Sequence, residues 1–276
     1  MILSAVVVIP VLVLFLLAFI LIRTLSHLRP LESFEAAELL AVDAEGVCRR
    51  LAAAIRCKTV SQPDDAPPAP KTLLELHRQL EEDFPLLHTR LIKETINTSS
   101  LLFTWKGTQP DMEPALLAAH LDVVPVDPAG LTAWDSPPFA GRVADGFVWG
   151  RGALDNKSQV IAILEAVETL LKAGFQPERT MCIALGHDEE TGGEHGACQI
   201  VAFLKDHGIR LAAVLDEGGA VIQGALPGVE LPVALVGTAE KGYLTLELTV
   251  DAQAGSSAIP PAQTTIGILA RGLARL

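Results

Sequence analysis

Hydrophobic positions run unbroken at the start of this chain and then return in short, spaced bursts. Met1 to Ile22 contain no charged side chain. As a helix, that run would extend roughly 33 Å, enough to cross a bilayer core. The pattern predicts an uncleaved transmembrane anchor over 1–22, with Pro10 as a tolerated kink. A cleavable signal peptide would need a basic leading segment and a small-residue cleavage site, and neither precedes Arg23. The expected localisation is therefore single-pass in a membrane. Arg23 and Arg29 lean towards a cytoplasmic body by the positive-inside rule. Residues 23–42 read as an acidic, alanine-rich stalk.

Beyond the stalk, helical and strand patterns alternate. Asp43 is an N-cap candidate for a helix whose Val47, Leu51 and Ile55 share one face. The proline and aspartate content of 61–70 predicts a loop. Leu73, Leu76, Leu80 and Phe84 then mark a second helix. Apolar or alternating stretches at 89–96, 100–105, 115–119 and 144–149 predict strands. A helix over 156–173 ends at Gly174, a usual position for a helix C-terminal glycine. Met181–Leu185 predicts a buried strand, Ala197–Lys205 a helix closed by Gly208, and Leu211–Leu215 another buried strand. The expected fold class is α/β, with a mixed, largely parallel sheet flanked by helices.

Composition narrows the partners. A formal net charge of −12 argues against nucleic acid or anionic lipid as the main ligand. The four cysteines form no CxxC pair and do not set a redox compartment. Asn97-Thr98-Ser99 matches a glycosylation sequon, but so does Asn156-Lys157-Ser158, which lies in the candidate site described next.

Four segments place metal-type ligands at the ends of apolar runs: AAHLDVVP (118–125), GRGALDNK (150–157), GHDEE (186–190) and LDEGG (215–219). Sites in α/β sheets gather beyond the carboxyl ends of strands. In an extended segment His120 and Asp122 point the same way, so the carboxylate can orient the imidazole while the other ring nitrogen binds metal. Asp155 follows the glycine-rich turn at 150–152. It reads either as a helix N-cap or as a carboxylate able to bridge two cations. Asp188-Glu189-Glu190 is either a solvated turn or a cluster that cations compensate. Asp216 and Glu217 repeat the pattern on a third strand.

Together, HLDVVP, GRGALDNK, HDEE and LDEGG resemble the signature blocks of the co-catalytic di-zinc metallopeptidase family. That family includes aminoacylase-1, Gly-X carboxypeptidase and the acetylornithine and succinyl-diaminopimelate deacylases. The nearest likeness is to the Gly-X carboxypeptidase and N-fatty-acyl-amino-acid synthase/hydrolase branch, from about Thr59-Val60-Ser61 onward. The resemblance implies two zinc ions held by His120, Asp155 as the bridge, Glu190 and Asp216. It implies Asp122 as the orienting group, Glu189 as the general base, and a cis peptide at Asp155-Asn156. The implied activity is hydrolysis of the amide bond of N-acyl amino acids or peptides beside a free C-terminal carboxylate, by a zinc-bridged water. It also implies a catalytic domain over 43–239 (its N-terminal portion), a lid and dimerisation domain beginning at 240–276, a homodimer through that lid, and an extracytoplasmic catalytic part.

The chain departs from the family pattern late. Ser256 stands where the family loop carries a histidine that supports the oxyanion, and no histidine follows His207 to supply the family's final zinc ligand. The expectation is therefore a C-terminally truncated enzyme of this kind. Two alternatives stand beside it: a non-catalytic zinc-binding or partner-binding remnant, and a metal-free α/β protein whose acids are caps and solvated turns. His187 reads as a structural residue and His195 as a surface one.

Overall fold

The computed structural model describes residues 2–27, 41–62, 69–239, 241–242, 244–251 and 262–276, with the backbone alone for 2–9 and 27. Most of the expected stalk and the loop bearing Ser256 lie outside the described residues. The chain divides into two compact units, Met1–Cys48 and Arg49–Leu276.

The first unit carries helix α1 (Ile2–His27), which includes Pro10. Among the described residues, however, no helix is long and apolar enough to cross a membrane. That finding corrects the expected transmembrane anchor over 1–22 and the single-pass localisation. Helix α2 (Ala44–Arg56) begins where Asp43 predicts. The Asp43 carboxylate accepts from the Gly46 N–H at 2.9 Å, satisfying one of the free donors of the first turn.

In the second unit, α3 (Pro70–Asp83) and the short α4 (Pro85–Arg90) precede strands β1 (Ile92–Ile96), β2 (Ser100–Trp105) and β3 (Ala115–His120). A hairpin of β4 (Arg142–Ala144) and β5 (Phe147–Trp149) follows, then α5 (Lys157–Lys172), β6 (Met181–Gly186), α6 (Ala197–Asp206) and β7 (Ala213–Leu215). A small pair, β8 (Val221–Ile222) with β9 (Val233–Ala234), and α7 (Thr265–Leu273) complete the described elements. The main sheet has the order β1-β2-β6-β3-β7. The β1–β2 and β2–β6 pairs are antiparallel, while β3 runs parallel to both β6 and β7. The α/β class with a mixed sheet thus agrees with the sequence pattern.

Register explains which residues form the core. On one face Leu102, Leu116, Cys182 and Ala184 pack with Ile200 and Leu204 of α6. On the other, Phe103 and Ile183, which are register partners, are wholly buried. His88 of α4 stands edge-on to Phe103 at 5.1 Å, so the α3–α5 layer covers that face. Residue 89 opens no strand, because Pro85 starts a helical turn first and Glu168 accepts the Leu87 N–H at 2.8 Å. Strand β7 differs from the expected buried strand. Among the described residues it pairs only with β3, at the sheet edge, and Val214 and Leu215 remain 57% and 63% exposed.

His77 is buried on α3, and its Nε2 has no hydrogen-bond partner. Burial, aided by the nearby Lys93 cation, holds its pKa down at about 4. Between pH 6.5 and 4 the unfolded chain therefore binds a proton that the folded chain refuses, so stability falls as the pH falls through that window. His77→Leu should reduce the acid loss by about 2 kcal/mol in urea titrations at pH 7 and pH 4.5. An unchanged pH slope would reject this assignment.

Candidate metal centre

The parallel register brings three strand ends together. His120, at the end of β3, pairs with Gly186 at the end of β6. β7 runs alongside, so the turns 187–190 and 216–217 leave the same edge. His120 is buried, with Nδ1 3.0 Å from the Asp122 carbonyl oxygen and 3.2 Å from its Oδ1. That contact occupies one ring nitrogen and turns Nε2 outward, 3.0 Å from Asp155 Oδ1. Glu217 Oε2 lies 3.4 Å from the same nitrogen and Glu189 Oε2 3.8 Å.

Asp122 organises this arrangement. Its carboxylate is fully buried and accepts from Ser61 Oγ (2.6 Å), the Glu189 N–H (3.1 Å) and the Glu190 N–H (3.0 Å). Ser61 is brought there by a bridge between Val60 and Val123. One side chain thus aligns the imidazole and fixes the backbone of both glutamates.

Asp155 follows a turn in which Gly150 and Gly152 adopt φ values of 153° and 83°. A Cβ on Gly152 would lie 2.7 Å from the Val123 side chain, so the close approach requires glycine there. The N-cap position of α5 is Asn156 rather than Asp155, which leaves the aspartate free to face His120. The Asp155–Asn156 peptide is cis. Asn156 donates to the Glu217 carboxylate. Lys157, buried, donates to the Ala54 and Cys57 carbonyls at 2.8 and 2.6 Å and ties the start of α5 to α2.

Two sets of ligand atoms converge. His120, Asp155 and Glu190 form one, and His120, Glu189 and Glu217 the other, each with its atoms within 4.8 Å of one another. Of the ligands read from the sequence, His120, Asp155 and Glu190 come together. Asp216 borders the same cavity, but its Oδ1 accepts from the Glu217 N–H and it is in neither set. The sequence reading named Glu217 with Asp216 in the LDEGG block but gave the implied ligand role to Asp216, whereas the ligand set in the structure contains Glu217. Ser61 and Asn156 were missed as site residues; the pattern carried no sign of the former. His187 is buried and shares a 2.7 Å hydrogen bond with Ser100, while His195 is exposed.

The electrostatics fit a cation. Burial pushes Glu190 up to about 7, with Asp155 adding to the effect. Glu189 and Glu217 are raised as well, mainly by burial; the attraction of His120 opposes the shift and neighbouring carboxylates add to it. For His120 burial opposes the charge, but Asp122, Glu217 and Glu189 prevail and lift it to about 9. Glu190 Oε1 is buried without any partner. Acids this crowded, one with an orphaned oxygen, are the donor set that a divalent cation satisfies. A cavity of about 240 Å³, walled by Leu116, Ile200, Leu204 and Val214, opens beside them.

The comparisons bear on this centre. Residues 116–267 match the model of peptidase family M20/M25/M40. The chain belongs to that family. It is 44% identical to the N-fatty-acyl-amino acid synthase/hydrolase PM20D1 of Xenopus tropicalis over 87% of this chain and 46% of the relative. It is 42% identical to carboxypeptidase S of Saccharomyces cerevisiae over 79% of this chain and 39% of that protein. The chain therefore spans less than half the length of these curated relatives. Among solved structures, an M20 family metallo-carboxypeptidase, Sso-CP2 of Sulfolobus solfataricus, aligns with a TM-score of 0.50 at 20% identity. That alignment covers 64% of this chain and 38% of the other, and supports the shared fold. The family expected from the four sequence blocks is thus the family found.

Gly196 shows how tightly the site is backed. A Cβ there would lie 2.4 Å from Asp188 Oδ1 and 3.0 Å from Ser100 Oγ. Gly196→Ala should cost about 1–3 kcal/mol by overpacking, measured as a lowered urea midpoint. A midpoint equal to the parent's would show that the contact relaxes freely.

Proposed function

We propose that this M20 family chain forms the metal-binding part of a zinc-dependent amidohydrolase. Its substrates would be N-acyl amino acids or peptides cut beside a free C-terminal carboxylate. The observation that carries the reading is the convergence of Asp155, Glu189, Glu190 and Glu217 on the single exposed nitrogen of a buried histidine. Its relatives' names, a fatty-acyl-amino acid hydrolase and a carboxypeptidase, agree with that substrate class.

In this reading His120, Asp155 and Glu190 would hold one zinc, and Asp216 and Glu217 would contribute to a second. When bound, zinc supplies Lewis acidity to the scissile carbonyl and to the attacking water. Asp122 holds the His120 tautomer that leaves Nε2 free to ligate. Glu189 accepts the proton of the water at its carboxylate and returns it to the departing amine nitrogen, since an amide anion leaves poorly. Burial raises Glu189 above an ordinary carboxylate in the metal-free protein, the direction that suits a proton acceptor. The apolar cavity beside the acids suits the hydrocarbon part of an acyl group. We assign 43–239 to the catalytic domain and 240–276 to the beginning of a lid through which a homodimer would form.

The test is hydrolysis of N-acyl amino acids by the purified, zinc-loaded chain, beside zinc stoichiometry from elemental analysis. Zinc uptake with release of free amino acid supports the enzyme. Zinc uptake without release favours the non-catalytic module, and no uptake defeats both.

A further inference from the structure

We propose that Asp188 is the positioning residue of this centre: it locks the 188–196 turn so that Glu189 and Glu190 stay aimed at His120. The inference rests on the metal reading above but uses groups that the reading leaves without a role.

Asp188 is buried to 1% exposure directly before the two glutamates. Its Oδ2 accepts the His195 N–H at 2.7 Å, across seven residues. Its carbonyl oxygen accepts from the Thr191 N–H (3.1 Å), the Gly193 N–H (2.9 Å) and Thr191 Oγ1 (3.1 Å). Gly192 and Gly193, with φ of 99° and 72°, permit the reversal. The His195 peptide is held from its other side too, because Asn97 Nδ2 donates to its carbonyl at 2.9 Å. At the near end, the Glu189 and Glu190 N–H groups are bound by Asp122. The segment carrying the glutamates is therefore clamped by two buried carboxylates: Asp122 holds the Glu189 and Glu190 N–H groups, and Asp188 holds the far end of the turn at His195.

The clamp is also continuous with the core. The turn leads directly into α6, whose Ile200 and Leu204 pack on the sheet. Without the Asp188–His195 bond, the far end of the turn keeps its backbone bonds and the Asn97 contact but loses its buried side-chain anchor, while Asp122 still holds the Glu189 and Glu190 N–H groups. A turn held less firmly at one end samples more orientations, and ordering it when metal binds costs entropy. The effect reaches the metal through the backbone, so Asp188 need touch neither metal nor substrate.

Loop closure needs an acceptor at Oδ2, and an asparagine carbonyl provides one. The test therefore compares Asp188→Ala with Asp188→Asn in the full chain. In the metal-free protein, hydrogen exchange of the Glu189 and Glu190 amides should accelerate on the order of tenfold or more in Asp188→Ala. The amides of Cys182 to Leu185 should be unaffected, and Asp188→Asn should restore most of the protection. Zinc titration should show affinity reduced about 10–100-fold in Asp188→Ala, the usual cost of losing an outer support, and within a few-fold of the parent in Asp188→Asn. Unchanged exchange at Glu189 and Glu190 in Asp188→Ala overturns the proposal, as does an Asp188→Asn variant no better than alanine. If the parent chain takes up no zinc, the metal reading fails, and the exchange comparison still decides the role of Asp188.

Discussion

Zinc is expected to stabilise this chain against unfolding by about 3 kcal/mol at a hundredfold excess over its Kd, and His120→Ala to abolish that gain. The reason is that Nε2 of His120 belongs to both ligand sets. Its removal deprives each set of its only nitrogen and leaves carboxylates alone, which hold zinc less well. The variant also loses a cation that, with a pKa near 9, sits among Asp122, Glu189 and Glu217 in the metal-free protein. Its melting temperature without zinc should therefore be lower as well. The measurement is thermal unfolding of both proteins with and without zinc, reading the difference made by the metal. An equal zinc-dependent shift in the variant would mean that the ion binds elsewhere.

The second large effect concerns Glu189. Replacing it with glutamine keeps the shape and removes the proton acceptor, so hydrolysis should fall about 10²–10⁴-fold while zinc content stays at the parent value. The structure makes this informative, because Glu189 lies in the second ligand set with Glu217 as well as beside the proposed ligand Glu190. A base and a ligand respond differently to the same change. Turnover lost with zinc retained identifies the base. Zinc lost in step with turnover would make Glu189 a ligand and defeat the role assigned to it.

The residues that the sequence exposed and those that it hid differ in a regular way. His120, Asp155, Glu189 and Glu190 stood out as candidates because each lies near the end of an apolar run or a glycine-rich turn, but a cap or a solvated turn explained each alone, and their implied roles came from the family resemblance. Asp122 followed from period-two geometry. Glu217 was not separable from Asp216, because two adjacent acids past a short strand differ only in which way the backbone turns. Ser61 lay hidden because a serine sixty-one positions upstream of its partner carries no local signal of a pairing made by the fold. The strand pattern failed at β7 for a related reason: an apolar run specifies a strand, but not how many neighbours will cover it.

The amino-terminal run teaches the same limit. Composition alone predicts a span, whereas crossing a bilayer needs a helix that is both long and apolar throughout, and among the described residues none is long and apolar enough. Local sequence therefore determined the α/β alternation, the family and most of the acids, because periodicity and turn chemistry act over a few residues. The meeting of His120 with carboxylates up to ninety-seven residues away, the approach of Glu217 to its ring, and the burial of Asp122 and Asp188 were decided by strand order and register. Those follow from packing across the whole sheet, where the contacts that fix them are made between segments far apart in the chain.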